Sequence, residues 1–204
     1  MIGEFVRLYS RVRLGDDVRI EDFSIIGRPL GPAEAKTTEI GAHGLIRSHA
    51  VIYEGVSIGE RFSCGHHVLI RENTVIGANV SIGSNSVIEH SVRIEDDVRI
   101  HSNCFIPEHT VLKRGCWVGP NAVFTNAKYP RSSAAKRTLV GPTIEEGAIV
   151  GANVTILPGI RVGKRALLGA GAVVTHNVED GAVVAGNPAR RLKSIAELPY
   201  QEPP

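Results

Sequence analysis

The chain has 204 residues, of which 23 are basic and 21 acidic, so its formal net charge is only +2. That balance excludes the strongly charged surface that nucleic-acid or membrane-surface binding requires, and we expect neither partner. Aromatic residues make up 5% of the chain and glycine occurs 22 times, so small and branched aliphatic side chains must fill the interior. No signal-peptide core or membrane-spanning apolar run occurs, which predicts a cytoplasmic protein.

An aliphatic residue recurs at every sixth position along most of the chain, a period that neither an α-helix nor an ordinary strand has. A second apolar or small residue stands two positions earlier, as Val56 precedes Ile58. Cys64, Cys104 and Cys116 fall on these inward positions without a CxxC pair, so we expect buried thiols in a reducing compartment. The repeated positions are Leu8, Leu14, Ile20, Ile26, Ile40, Ile46, Ile52, Ile58, Cys64, Ile70, Ile76, Ile82, Ile88, Ile94, Ile100, Ile106, Leu112, Val118, Phe124, Ile144, Val150, Ile156, Val162, Leu168 and Val174.

Each six-residue unit has the pattern of a short strand followed by a corner. Glycine is frequent directly after the repeated residue, and asparagine recurs two positions later, as in Gly77 and Asn79. Both residue types tolerate a left-handed backbone, so we expect that conformation at the corners. Three units close a triangular coil, and the repeats predict an all-β, parallel β-helix of about eight coils, about 40 Å tall.

The chain therefore resembles the left-handed β-helix hexapeptide-repeat acyltransferases over nearly its whole length. The resemblance implies the left hand of the coil, a homotrimer, and acyl-coenzyme A bound between neighbouring prisms. A non-catalytic scaffold would share the repeat, so the repeat by itself does not identify an enzyme.

The repeat is interrupted twice. We predict a β-helix over residues 1–178 with loop excursions at 27–39 and 125–142, followed by a C-terminal tail over 179–204. The first excursion fits either a terminal cap or a functional loop. The second combines Asn126, Lys128, Tyr129 and Arg131, and loops that interrupt a rigid scaffold often carry function.

Residues 18 apart should lie one above another on the same edge of the prism. Counting back from Asn126 gives Glu108, His90 and Glu72. A histidine can accept a proton near neutral pH, and Glu108 or Glu72 can orient it from an adjacent coil. This column predicts a general base for an attacking amine or hydroxyl and places Glu72 with the acceptor, with solvated corner residues as the alternative.

Two segments resemble one branch of the family, which acetylates amino groups of nucleotide-linked sugars. "IHSNCFI" and the following "PEHTVLKRGCWVGPNAVFTNAKYPRS" are similar to that branch's acceptor site, which implies Asn103, Lys128, Tyr129 and Arg131 in acceptor binding. That branch commonly has an acidic residue where this chain has Ala127. "SVIEHSVRIEDDVRI" resembles the stretch carrying the general-base histidine of related enzymes, and only His90 carries over.

The C-terminal "VVAGNPARRLKSI" resembles the family's signature beside coenzyme A. Glycines let a thin pantetheine chain approach the backbone, and basic side chains can pair with nucleotide phosphates. The residues that we assign to acetyl-CoA are Gly151, Gly169, Ala170, Gly186, Asn187, Pro188, Arg191 and Lys193.

The leading hypothesis is transfer of an acetyl group from acetyl-CoA to an amino group of a nucleotide-linked amino sugar. His90 would take the proton, and Asn126, Asn103 or loop backbone would position the acceptor or stabilise the oxyanion. The alternatives are O-acetylation of a sugar or small alcohol, and a non-catalytic scaffold. The histidine spacings offer no pair five apart, so we expect no metal.

Overall fold

The computed structural model describes residues 1–31 and 36–200. Within them, very short strands follow one another from end to end, with two 3₁₀ helices at Ala135–Arg137 and Ile195–Glu197. The strands are β1 Arg7–Leu8, β2 Val12–Leu14, β3 Arg19–Ile20, β4 Ile25–Arg28, β5 Thr38–Ile40, β6 Leu45–Ile46, β7 Val51–Tyr53, β8 Ser57–Ile58, β9 Ser63–Cys64, β10 Leu69–Ile70, β11 Val75–Ile76, β12 Ser81–Ile82, β13 Val87–Ile88, β14 Arg93–Ile94, β15 Arg99–Ile100, β16 Phe105–Ile106, β17 Val111–Leu112, β18 Trp117–Val118, β19 Val123–Phe124, β20 Thr143–Ile144, β21 Ile149–Val150, β22 Thr155–Ile156, β23 Arg161–Val162, β24 Leu167–Leu168, β25 Val173–Val174, β26 Ala182–Ala185 and β27 Arg190–Ser194.

Every third strand joins the same sheet, which makes a three-sided tower. Sheet I is β1-β4-β7-β10-β13-β16-β19-β22-β25, sheet II is β2-β5-β8-β11-β14-β17-β20-β23, and sheet III is β3-β6-β9-β12-β15-β18-β21-β24-β26-β27. Neighbouring strands are parallel with an offset of 18 residues where the repeat is regular, as in Ile70↔Ile88 and Ile88↔Ile106. The predicted all-β solenoid is confirmed. We call its three edges I/II, II/III and III/I, after the sheets that each edge joins.

The tower has about ten levels, so the predicted count of eight coils was too low. Ile2 bridges to Ile20 and adds a level at the N-terminal end. At the other end β26 pairs with β24 through Leu167↔Val183, an offset of 16 residues that a strict six-residue step does not detect. β27 then turns back antiparallel against β26.

The repeated aliphatic residues form the core. Ile70, Ile88 and Ile106 have no exposed surface, and each such side chain contributes roughly 1.5–3 kcal/mol through its burial. Cys64, Cys104 and Cys116 are buried and unpaired, as the sequence predicts.

The corners are formed by two different devices. Asn79, Asn85, Asn103, Asn121 and Asn153 have φ between 55° and 60°, which confirms the prediction for asparagine. The prediction was wrong for most glycines that directly follow the strand, because their φ is not positive. A Cβ on Gly65 would lie 2.4 Å from the Ser84 backbone nitrogen, so glycine is needed there because the next coil passes so close.

Both excursions leave the tower at edge I/II. The first connects β4 of sheet I to β5 of sheet II, and the second connects β19 of sheet I to β20 of sheet II. Residues 32–35 of the first excursion and 201–204 of the predicted tail lie outside the described residues.

The outer face of sheet I differs from the other two faces. In each strand, the residue directly before the repeated inward residue points outward. In sheet I these outward residues are Arg7 at the N-terminal end and then only uncharged residues. In sheets II and III they include charged residues such as Arg93 and Arg99. The uncharged row, which we call the sheet I face, is Ile25, Val51, Leu69, Val87, Phe105, Val123, Thr155 and Val173. Over residues 1–31 and 36–200, no helix has the length and apolarity that a bilayer crossing needs.

Candidate active site

A single column of polar side chains runs along edge I/II. Its members are Glu54, Glu72, His90, Glu108 and Asn126, and each lies two residues after the repeated inward residue of a sheet I strand. The 18-residue register stacks them at successive levels, so Glu54 and Asn126 are about 19 Å apart along the axis. The structure therefore brings together the four residues that the sequence places in one column, and adds Glu54.

His90 and Glu108 form the central contact of the column. His90 Nε2 lies 2.8 Å from Glu108 Oε1, and the two side chains are 31% and 23% exposed. The other ring nitrogen, Nδ1, lies 3.3 Å from the Ser91 hydroxyl. With Nε2–H donated to the carboxylate, Nδ1 keeps its lone pair and is the nitrogen that can accept a proton.

Asn126 holds Glu108 from the level above. Its Nδ2 donates to Glu108 Oε2 at 3.2 Å, so both carboxylate oxygens are bound, one by His90 and one by Asn126. His109 adds an edge-on contact to the His90 ring, with the two ring centroids 6.1 Å apart. The imidazole is thus held by groups on two sides and remains partly open to solvent.

Glu72 lies one level below His90 and forms an ion pair with Arg71. The guanidinium donates to both carboxylate oxygens, from Nε at 2.8 Å and from Nη2 at 3.0 Å. Arg71 also donates to Glu89 at 3.2 Å and lies over the Tyr53 ring. Burial raises the pKa of Glu72, but the hydrogen bonds from Arg71 and the charges nearby outweigh it, and the pKa is lowered overall.

The second excursion rises from the upper end of the column. The Asn126 carbonyl accepts from the Val140 amide at 2.9 Å, which closes the base of the loop. Lys128, Tyr129 and Arg131 are exposed within it, and the Lys128 ammonium lies over the Tyr129 ring. Loop 125–142 contains four basic residues and no acidic one, and none of the four pairs with a carboxylate of the described chain.

Four predicted residues lie on a different edge. Asn103, Gly151, Gly169 and Ala170 follow strands of sheet III and therefore line edge III/I, across sheet I from His90. Within one chain they do not meet the column. A Cβ on Gly151 would lie 2.7 Å from the Ala170 amide nitrogen, so coil stacking by itself accounts for this glycine.

The C-terminal end contains an open cavity of about 300 Å³ between the last coil and the β26–β27 hairpin. His176, Asn177, Arg190 and Arg191 line it above an apolar floor that includes Val184. His176 continues edge I/II four levels above His90, a rise of about 19 Å.

The predicted C-terminal cofactor residues divide around that cavity. Gly186, Asn187 and Pro188 form the turn between β26 and β27, with a cis peptide bond before Pro188. Arg191 lines the cavity and pairs with Glu179 at 2.6 Å, while Lys193 lies farther along β27 opposite Val183.

Three residues that lie on edge I/II were not identified from the sequence. Glu54 stands 18 positions before Glu72, so the same count extended by one coil would have found it. His109 follows Glu108 in the sequence, and a count in steps of 18 from Asn126 does not include it. Arg71 carried no signal, because its role depends on the contacts of its side chain with Glu72 and Glu89.

The chain matches the family described as "Bacterial transferase hexapeptide (six repeats)" at residues 73–108 and 141–176. It is 43% identical over 81 residues to 2,3,4,5-tetrahydropyridine-2,6-dicarboxylate N-acetyltransferase of Staphylococcus aureus (strain JH9), a match that covers 40% of this chain. The chain spans only 31% of the length of that relative.

Two solved structures share the fold over nearly the whole chain. UDP-N-acetylglucosamine acyltransferase from Campylobacter jejuni has a TM-score of 0.51 at 18% identity, covering 99% of this chain and 79% of its own. LpxA from Acinetobacter baumannii has a TM-score of 0.52 at 16% identity, covering 96% and 75%. These likenesses are evidence for the fold alone.

Proposed function

We propose that this protein, which matches the bacterial transferase hexapeptide family at residues 73–108 and 141–176, transfers an acetyl group from acetyl-CoA to an amine. The observation that carries the proposal is the arrangement of His90, Glu108 and Asn126 beside a basic loop. A histidine oriented by a carboxylate is the recurring device for deprotonating a nucleophile. The Staphylococcus aureus relative is named an N-acetyltransferase, which supports transfer to nitrogen.

In the proposed mechanism the uncharged amine attacks the thioester carbonyl carbon of acetyl-CoA. A nitrogen–carbon bond forms, and the carbonyl π-electrons move to the oxygen. His90 Nδ1 takes the proton that the nitrogen loses, while Glu108 and Asn126 fix the ring through Nε2. Collapse of the tetrahedral intermediate breaks the carbon–sulfur bond, and His90 returns the proton to the leaving thiolate of coenzyme A.

The proposed donor residues lie on edge III/I, away from His90, so we extend the proposal to an assembly of several chains. In a homotrimer with the sheet I face of each prism toward the threefold axis, edge I/II of one subunit lies beside edge III/I of the next. This arrangement buries the exposed Phe105 and Val123 and unites His90 with Asn103, Gly151, Gly169 and Ala170 of a neighbour. Acetyl-CoA then lies between two prisms, with its nucleotide end in the upper levels near Arg191 and Lys193.

We propose an amino sugar, in particular a nucleotide-linked one used in polysaccharide biosynthesis, as the acceptor. The resemblance around residues 100–132 supports this class. Lys128 and Arg131, which form no ion pair with any described carboxylate, suit phosphate groups. O-acetylation of a sugar or small alcohol uses the same groups. The three unpaired thiols fit a cytoplasmic location.

Thiol release from acetyl-CoA against a panel of amines and alcohols tests the function. Acceleration by nucleotide-linked amino sugars supports the full proposal, whereas acceleration by alcohols alone contradicts amine transfer. If no acceptor accelerates release and calorimetry shows no heat with coenzyme A, the protein is a scaffold. Sedimentation of Phe105→Asp tests the assembly: we expect the trimer to dissociate, and an unchanged trimer contradicts the sheet I face as the interface.

A further inference from the structure

The first excursion lies on the same edge as His90, and its described ends are pinned there. Glu54 is 8% exposed, and its carboxylate accepts from the Leu30 amide at 3.0 Å and from the Lys36 amide at 3.2 Å. One buried carboxylate thus fixes the backbone at both described ends of the loop. Because Glu54 belongs to the column, the loop position is set relative to the catalytic histidine.

This anchoring directs the Lys36 side chain along the edge toward His90. A Cβ on Gly55 would lie 3.1 Å from Lys36 Cδ, so the absence of a side chain at Gly55 opens the path. The Lys36 ammonium donates to Asn73 Oδ1 at 2.7 Å. Directly above Asn73, one coil higher, is Ser91, whose hydroxyl faces His90 Nδ1.

Lys36 differs from the other cations around it in its charge environment. Arg71 is neutralised by Glu72 and Glu89. Among the described residues, Lys36 has a neutral amide as its hydrogen-bond partner and no carboxylate within ion-pair distance. Lys36 is thus fixed through its backbone amide, while its exposed ammonium has one neutral partner. Such an ammonium can exchange that partner for an anion.

We propose that Lys36 binds an anionic group, a carboxylate or a phosphate, of the acceptor. This inference rests on the proposed function. The acceptor amine meets His90 Nδ1, and the anion lies one to two coils lower, about 5–10 Å away. The acceptor thus lies along edge I/II between the two excursions, with this anion toward the N-terminal end and any nucleotide phosphates toward Lys128 and Arg131.

Four acceptors that share one ring and one amine test this: glucosamine, its 1-phosphate, its 6-phosphate and its uronic acid. In the wild type, we expect kcat/KM for at least one anionic acceptor to exceed that for glucosamine by about tenfold or more. Lys36→Gln should remove that preference and leave the KM for acetyl-CoA unchanged, and Lys36→Arg should restore much of it. Lys164→Gln, an exposed lysine on edge II/III that lies 3.8 Å from Glu146, is the matched control and should keep the preference.

Binding provides a second readout that does not need turnover. Phosphorus NMR titrations of the two sugar phosphates should show binding to the wild type and at least tenfold weaker binding to Lys36→Gln. If the wild type binds them without acetylating any amine, the acetyl-transfer proposal fails and the anion site stands. If Lys36→Gln keeps both affinity and preference while the wild type is active, the anion site is wrong and the proposed function stands. Absence of binding by any anionic acceptor to the wild type also overturns the site.

Discussion

Replacing Glu108 by Gln tests whether the carboxylate orients and charges the catalytic histidine. The substitution keeps the size of the side chain but removes the charge that faces His90 Nε2 at 2.8 Å and the strong acceptor for Asn126 Nδ2. A hydrogen bond to a charged group is worth about 1.5–3 kcal/mol. If that stabilisation is needed only when the imidazole carries the proton, kcat/KM should fall about 10- to 150-fold.

The assay is thiol release from acetyl-CoA with the best amine acceptor, at saturating donor. We expect kcat to fall while the affinity for coenzyme A, measured by calorimetry, is unchanged. Glu95→Gln is the matched control, because Glu95 is an ion-paired corner carboxylate on edge II/III, bound to Lys113 at 2.8 Å. Full activity in a correctly folded Glu108→Gln protein would refute the orienting role, as would an equal loss in Glu95→Gln.

Three further outcomes follow from the geometry. Burial raises the pKa of the Cys64 and Cys116 thiols to about 12, so iodoacetamide at pH 8 should label neither in the native protein, and rapid labelling would show that the core opens. Gly65→Ala should lower the free energy of unfolding by about 1–3 kcal/mol, because the methyl group meets the next coil, while Gly31→Ala, with no described atom within 4 Å, should not; equal midpoints in urea would contradict the packing argument. Folding lowers the pKa of Glu72, so ionised Glu72 stabilises the fold at pH values above the ordinary glutamate pKa, and this stabilisation is lost as the pH falls through the folded-state pKa. The melting temperatures of the wild type and Glu72→Gln should therefore converge toward pH 3. A difference in melting temperature that stays constant with pH would argue against an ionised Glu72.

The tower was predictable because one physical constraint repeats along the chain. Each coil must present an aliphatic residue to the same core. The positions of Ile70, Ile88 and Ile106 therefore predict both where the strands lie and the 18-residue register between them. Once the register is known, the stacking of Glu72, His90, Glu108 and Asn126 follows by counting. The number of levels was less predictable, because the final coil is shortened to 16 residues.

The contacts within the site were not predictable from counting. The column count gave neighbours on one edge but not which oxygen meets which nitrogen, and it assigned Glu72 to the acceptor although Arg71 binds both of its oxygens. Gly151 shows the converse limit. Glycine there fits close approach of a cofactor, but a Cβ would already meet the next coil. The spacing of residues in the sequence predicts where each residue lies on the tower. The contacts that its side chain makes depend on the direction of that side chain, which spacing does not predict.

The most direct test of the account is the kcat of His90→Ala in the thiol-release assay, with its binding of coenzyme A measured in parallel. We predict a loss of at least about a hundredfold in kcat with unchanged coenzyme A affinity, because the variant lacks the group that accepts the amine proton. His43→Ala, which changes a histidine on edge II/III, should keep its activity. A His90→Ala protein that turns over within twofold of the wild type would contradict the assignment of edge I/II as the site of acetyl transfer.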